Sequence, residues 1–266
     1  MDHEFSIEVD HLSFSYDKSK NIISDINFRL KKGEIFVILG SNGAGKTTLL
    51  NCVSNMLKPD SGTIRIKGKE ITEYSVGNLA TVVGYVPQIT VPAFSYTCRD
   101  YIVMGRAPHM SLMRVPGRAE YAVADAVMEQ MNITYLADKS YGNISGGERQ
   151  QVQIARVLAQ EPEIVILDEP ANHLDYGNQL KIMQIIYDLA NKKGLTVILT
   201  SHNPDHSIIL DGTVGILDKD GHLTVGNAAD TVTEDSLKQL YDTDLHLVYI
   251  EKVNRMACVS GSLRRQ

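Results

Sequence analysis

The sequence predicts an α/β fold with a mixed central sheet, an antiparallel β-subdomain near the N-terminus and an inserted α-helical subdomain. Three observations carry that expectation. Residues 35–39, 164–167 and 197–199 are unbroken apolar runs, the pattern of strands buried on both faces, as in parallel sheets. The first 30 residues instead alternate apolar and polar side chains, as half-buried strands do. Between residues 89 and 160 strand runs give way to helical spacing.

Taken in order, Phe5, Ile7 and Val9, then Ile26, Phe28 and Leu30, mark the first alternating strands. The run 35–39 ends in glycines and should feed a helix whose Leu49, Leu50 and Val53 face the sheet. Residues 82–86 read as another strand. Ala122, Val123, Ala126, Val127 and Met131, then Val152, Ile154, Ala155 and Leu158, give the insertion its helical faces. Two buried strands follow, separated by a helix near residues 180–190. Residues 212–225 read as a hairpin turning at Asp218-Lys219-Asp220-Gly221, since Asp and Gly suit tight turns. The last ~35 residues carry less pattern, and the tail 261–266 is expected to fray. The expected divisions are 1–88, the N-terminal part of the core; 89–160, the helical subdomain; 161–232, the C-terminal part of the core; and 233–266, a C-terminal extension.

Composition sets limits on function. In 266 residues, Lys plus Arg number 26 and Asp plus Glu 32, a formal charge of −6. That balance lacks the basic excess of a nucleic-acid binder, and no nucleic-acid partner is expected. Hydrophobic residues at 43% and charged residues at 22% are a globular balance, not a disordered one. No apolar run approaches the roughly 20 residues of a bilayer span. The start, Met1-Asp2-His3-Glu4, lacks the basic and apolar regions of a secretory signal. Cys52, Cys98 and Cys258 are few, odd in number and without metal-ligand spacing, so free thiols in the cytosol are expected.

Three motifs carry chemistry. Gly40-Ser41-Asn42-Gly43-Ala44-Gly45-Lys46-Thr47-Thr48 matches G-x-x-x-x-G-K-[ST] between a strand and a helix. Its glycines let backbone N–H groups wrap a phosphate, and the following helix aims its positive end at the same anion. Lys46 can reach the outer phosphates, and the Thr47 hydroxyl can ligate Mg²⁺. Asp168-Glu169 ends a buried strand, the edge where open α/β sheets bind ligands. Asp168 would manage Mg²⁺, and Glu169 could polarise an attacking water as general base. Finally, Ser145-Gly146-Gly147 precedes an amphipathic helix, a capped N-terminus suited to phosphate but without a lysine of its own. Read alone, that element is an ordinary capped helix. Beside a complete phosphate loop, it invites sharing of a nucleotide between subunits.

The phosphate loop, the Ser-Gly-Gly signature and the acidic pair, in that order, closely resemble the ATP-binding cassette (ABC) family over residues 5–225. The resemblance implies a P-loop NTPase core and a head-to-tail dimer. In that dimer the signature of one subunit closes over Mg²⁺ and ATP held by the other. It also implies roles for four further residues. Tyr16 matches the aromatic that stacks on adenine. Gln88 matches the glutamine that touches Mg²⁺ and the attacking water, at the start of the helical insertion. Asp175 matches a loop crossing the dimer interface. His202 matches the histidine that contacts the γ-phosphate. The implied catalytic set is therefore Glu169, His202, Gln88 and Lys46, and the implied metal set Thr47, Gln88 and Asp168. The sequence departs from the commoner family pattern at Ile144, Glu148 and Ala171. None of these removes a presumed catalytic group, so an active ATPase is expected.

Two stretches, 100–121 and 172–179 with 201–206, resemble an importer branch that serves metal chelates such as iron-siderophores, haem and cobalamin. That resemblance implies integral-membrane permease subunits docking beside the Gln88 loop and the 89–115 segment. It implies a substrate-binding protein acting indirectly, and a peripheral place on the cytoplasmic face of the membrane. Two rival readings stay open at this point. One is a soluble cassette in iron–sulfur assembly or DNA and translation maintenance. The other is a non-hydrolysing nucleotide switch, a class that usually lacks the base supplied here by Glu169. His109, His202 and His206 are not expected to bind metal.

Overall fold

The computed structural model describes residues 4–18, 20–88, 95–111 and 114–261. Strands β1 (Phe5–Phe14) and β2 (Ile23–Lys31) pair antiparallel, Val9 against Phe28. Their inward side chains, Ile7, Val9, Ile26, Phe28 and Leu30 among them, are buried as the alternation requires. Next comes β3 (Ile35–Leu39), whose five side chains are all buried. Each such burial is worth about 1.5–3 kcal/mol. It feeds α1 (Lys46–Val53), and Leu49, Leu50 and Val53 do face inward.

The chain then returns to the first sheet as β4 (Ser61–Ile66) and β5 (Lys69–Glu70). The first sheet thereby runs β2-β1-β4-β5, all antiparallel. Helix α2 (Val76–Val82) leads into β6 (Val83–Val86), so Val82 closes a helix where the sequence pattern placed it in the strand.

The helical insertion has α3 (Cys98–Val103), α4 (Arg118–Gln130) and α5 (Gly146–Leu158), with short 3₁₀ turns between them. Its expected start, residues 89–94, lies outside the described residues, as does the tail 262–266. The segment continues with β7 (Ile164–Leu167), α6 (Tyr176–Asn191), β8 (Thr196–Ser201) and α7 (Pro204–Leu210). The hairpin of β9 (Thr213–Leu217) and β10 (Leu223–Asn227) turns where Asp218 accepts from the N–H groups of Asp220 and His222.

The central sheet runs β10-β9-β3-β8-β7-β6. Its strands are parallel except for the β9–β10 hairpin, which makes it mixed. Alternate residues of the buried strands serve two cores. Phe36, Ile38, Ile164, Ile166 and Ile198 face the antiparallel sheet and α1, while Val37, Leu39, Val165, Leu167, Val197 and Leu199 face the helices.

After β10 the chain is more ordered than its weak pattern announces. It forms α8 (Ala228–Thr231), α9 (Glu234–Tyr241) and a hairpin of β11 (Leu245–Ile250) and β12 (Arg255–Ser260). Only Leu237 and Leu240 of α9 are buried, and β11 is largely exposed. Two apolar anchors on a short helix leave little periodicity to read.

Candidate functional site

Four parallel strands deliver the site. Gln88 follows β6, the phosphate loop follows β3, Asp168 and Glu169 follow β7, and His202 follows β8. All emerge at the same C-terminal edge of the sheet, where strand ends leave unpaired backbone and helices begin. The cleft there encloses about 580 Å³ and is lined by Tyr16, Asn42, Gly43, Lys46, Thr47, Gln88, Glu169 and His202, among others.

The loop is shaped by backbone that L side chains resist. Gly43 and Gly45 sit at φ 82° and 99°. A Cβ on Gly45 would also press to 2.9 Å from Ile22 Cγ2, so glycine is required there twice over. Gly45 is the N-cap of α1 and offers no side-chain cap, and the first turn carries no acid. The orphan N–H groups at that end are thus left to a ligand.

Lys46 is buried, its ammonium donating to the Gly40 and Ser41 carbonyls at 2.8 and 3.1 Å. It also lies 3.1 Å from Glu169 Oε1, both side chains under one-tenth exposed. The other Glu169 oxygen receives Gln88 Nε2 at 3.3 Å and Asn172 Nδ2 at 2.8 Å, with His202 Nδ1 at 3.2 Å. Glu169 stands at φ 47°, a left-handed conformation costing a non-glycine residue on the order of 1–3 kcal/mol. The Thr200 hydroxyl, accepting from the Glu169 N–H at 2.8 Å, helps hold it there.

Asp168 is buried and bonded on both oxygens. The Thr47 hydroxyl donates to one and the Thr200 hydroxyl to the other, each at 2.7 Å. Tyr16 projects from the end of β1 and is 65% exposed. Its ring stands edge-on to Phe14, and its hydroxyl is 3.2 Å from Thr48 Oγ1. This leaves a ring face for a planar ligand.

The structure does not bring the remaining candidates to this cleft. Ser145 caps α5 in a reciprocal box: Glu148 N–H donates to the Ser145 hydroxyl, and the Ser145 N–H and hydroxyl donate to Glu148. Those bonds hold the Glu148 carboxyl below its usual range. Asp175 caps α6, accepting from the N–H and side-chain amide of Asn178 at 2.9 and 2.7 Å. The Asn178 N–H bond holds the Asp175 carboxyl low as well. A Cβ on Gly147 would approach Asn178 to 2.5 Å, so the two caps meet. Ser145, Gly146, Gly147 and Asp175 therefore form a second surface, apart from the cleft.

Three supports were missed in the sequence: Asn172, Thr200 and Asn178. Asn172 could have been found, standing three residues after Glu169 in the turn that leaves β7. Thr200 hides inside a buried strand, where a threonine reads as a β-former. His109 Nε2 donates to the Gln160 carbonyl at 2.8 Å, a local tie between the insertion and the core. His206 is buried beside Ser201 Oγ at 2.9 Å, and burial pushes its imidazole down to about 4.

Comparison with known proteins places this geometry. A family model described as ABC transporter matches residues 23–172, and one described as AAA domain, putative AbiEii toxin, Type IV TA system matches 140–205. An uncharacterized ABC transporter ATP-binding protein of Methanocaldococcus jannaschii is 37% identical over 95% of this chain and 96% of its own. The "Probable iron chelatin transport ATP-binding protein" of Helicobacter pylori is 34% identical over 91% and 95%. The solved structure "An inward-facing conformation of a putative metal-chelate type ABC transporter" superposes with a TM-score of 0.87 at 29% identity, covering 97% of this chain and 98% of that one. With more than half its length matched by the family model and relatives aligned nearly end to end, this chain belongs to the ABC transporter family, as an ATP-binding subunit whose ATPase activity is coupled to transport.

Proposed function

We propose that this ATPase subunit serves an importer, closes with a second copy around two Mg·ATP, and drives uptake of a metal chelate such as an iron-siderophore, haem or cobalamin. One observation carries the dimer. The chain holds two anion-receiving helix ends, the phosphate loop and the Ser145 end of α5, and only the first lines its own cleft. A head-to-tail partner supplies the missing half, with Ser145, Gly146 and Gly147 facing the partner's phosphates and Asp175 at the seam.

Within the cleft each group has a task. The amides of Gly40, Ser41, Asn42, Gly43, Ala44, Gly45, Lys46, Thr47 and Thr48 surround the phosphates, and Tyr16 stacks on adenine. Lys46 exchanges its Glu169 partner for phosphate oxygens, which frees one oxygen of Glu169 for water. Glu169 then orients and deprotonates that water, with Gln88 beside it and His202 bracing the γ-phosphate. The hydroxyl of Thr47, the side-chain oxygen of Gln88 and the Asp168 carboxylate are hard oxygen donors. They would hold Mg²⁺, a hard cation that prefers oxygen donors. Held there, Mg²⁺ would supply positive charge to offset that developing on the phosphates during transfer.

The importer assignment is supported by relatives named for iron chelatin and for molybdate import. No helix of the described residues is long and apolar enough to cross a membrane. Permease subunits therefore supply the pathway, meeting this chain beside Gln88 and the helical insertion on the cytoplasmic face.

The test replaces Glu169 with Gln. ATP should still bind and dimerise the protein, while turnover falls about 100-fold or more, the scale of a lost general base. Turnover near that of the unmodified chain would sink the assignment of the base.

A further inference from the structure

The C-terminal extension packs against the very loop that carries His202. Leu237 and Leu240 of α9 are buried in the core on the helical side of the central sheet, and Leu245, Leu247 and Cys258 of the hairpin lie against it. Leu247 and Cys258 face each other across the hairpin. Their N–H groups point out of the two-stranded ladder, and both are taken by carboxylates. The Leu247 N–H donates to Glu234 of α9 at 2.8 Å, and the Cys258 N–H donates to Asp205 of α7 at 3.0 Å.

Asp205 is the second residue of α7, after His202, Asn203 and Pro204. Its N–H donates to Asn203 Oδ1 at 3.0 Å, and the Asn203 N–H donates to the Ser201 hydroxyl at 3.0 Å. A chain of short bonds thus runs from β12 through Asp205 and Asn203 to the last residue of β8. His202 sits inside that chain, 3.2 Å from Glu169. The seam is also incompletely filled. A cavity of about 290 Å³ is lined by His202, Asn203, Asp205, Tyr241, Leu245 and Cys258, among others. Tyr241, at the end of α9, has a buried hydroxyl without a hydrogen-bond partner among the described residues. A loop beside such a gap has room to move and needs a tether.

We infer that residues 233–261 are a positioning element for His202: the bond from the Cys258 N–H to Asp205 fixes the start of α7, and through it the loop that sets His202 against Glu169. The inference rests on the role given above to His202. Asp205 and Cys258 do not line the cleft and act only through the loop.

The test measures ATP turnover and the KM for ATP on the full chain. His202→Ala should slow turnover about 100-fold, as loss of a group contacting the transferred phosphate does. Asp205→Ala removes the acceptor and Cys258→Pro removes the N–H without touching a ladder bond. Each should lower kcat about tenfold and leave KM for ATP within about twofold, the mark of geometry lost at the reacting end alone. Asp205→Asn keeps an acceptor oxygen and should retain turnover within about twofold of the unmodified chain. Asp205→Ala added to His202→Ala should cost nothing more. Either of two outcomes overturns the inference alone: full turnover in Asp205→Ala while His202→Ala is slow, or equal loss in Asp205→Asn and Asp205→Ala. Unimpaired His202→Ala overturns the role of His202 and this inference with it. Hydrogen exchange on the unmodified chain needs no variant: the Cys258 amide should exchange as slowly as the ladder amides of β12, and fast exchange there removes the tether.

Discussion

The two helix ends proposed to receive phosphate are built on opposite plans. Helix α1 begins at a left-handed glycine, has no side-chain cap and carries no acid in its first turn. Helix α5 has Ser145 as its N-cap, is closed by a reciprocal capping box, and carries Glu148 in its first turn. The first end leaves its orphan amides open and adds the Lys46 ammonium. The second satisfies the N–H groups of Ser145 and Glu148, leaves those of Gly146 and Gly147 to a ligand, and places a carboxylate where a phosphate would approach. The difference separates two jobs. An open, cationic end can collect ATP from solution. A capped, acid-bearing end can only complete a site whose phosphate is already held and charge-compensated elsewhere.

Breaking the collecting end should cost most. Lys46→Ala removes the one buried ammonium and leaves Glu169 without its counter-ion. ATP affinity of the single chain should fall about 100-fold, the scale of a charge-assisted bond lost from a desolvated site, measured by calorimetric titration. Ser145→Ala should instead leave single-chain affinity within about twofold, because Ser145 lies outside the cleft. It should abolish ATP-dependent dimerisation in sizing experiments. Similar losses of single-chain affinity in the two variants would erase the comparison.

The cleft side also carries an acid sensitivity of another kind than the depressed carboxyls of the α5 end, a histidine buried in its neutral form. His206 lies behind His202, next to Ser201 and Asn203, and burial, with the nearby His202, depresses its imidazole from the usual 6.5 to about 4. The folded state therefore holds it neutral, while the unfolded chain gains a proton below the unperturbed value. The stabilisation it represents is complete above pH 6.5 and is lost as pH falls towards 4. Across that window the folded state should lose about 3 kcal/mol through this group. His206→Gln should flatten the decline in denaturant midpoint between those limits, and an unchanged slope would refute the buried neutral state.

How legible these two ends were in the sequence differs for a physical reason. The phosphate loop is a contiguous run, and its strand, glycines, lysine and threonine all stand within it. Asp168 and Glu169 were readable because a buried apolar strand ends in charge. The bonds that make the site work are long-range: Thr47 to Asp168, Thr200 to Asp168, Asn172 and Gln88 to Glu169. No local pattern encodes which strands lie side by side, and Thr200 looks like any strand threonine. The C-terminal hairpin was invisible for a related reason. Its order comes from two carboxylates catching its outward amides and from a few leucines on the core, not from a continuous apolar face.

The finest test of the contrast changes two atoms. Glu148→Gln keeps a side-chain oxygen that can accept the Ser145 N–H, so the cap of α5 should survive. It deletes the negative charge beside the Ser145 hydroxyl, which now donates to that carboxylate at 2.8 Å. In the proposed dimer the hydroxyl turns to a partner's phosphate and the charged carboxylate is left close to that phosphate, with Lys139 at 3.8 Å offsetting it in part. Like charges at such seams, partly exposed to water, oppose closure by about 1 kcal/mol summed over the two symmetric seams of the dimer. ATP-dependent dimerisation of the Glu148→Gln, Glu169→Gln double variant should therefore tighten about fivefold over Glu169→Gln alone, measured by sedimentation at low salt. The gain should shrink as salt rises, and single-chain ATP affinity should not change. A weaker dimer in the double variant would mean that Glu148 makes a favourable contact across the seam, and the acid-bearing end would then have to be read as part of the binding surface.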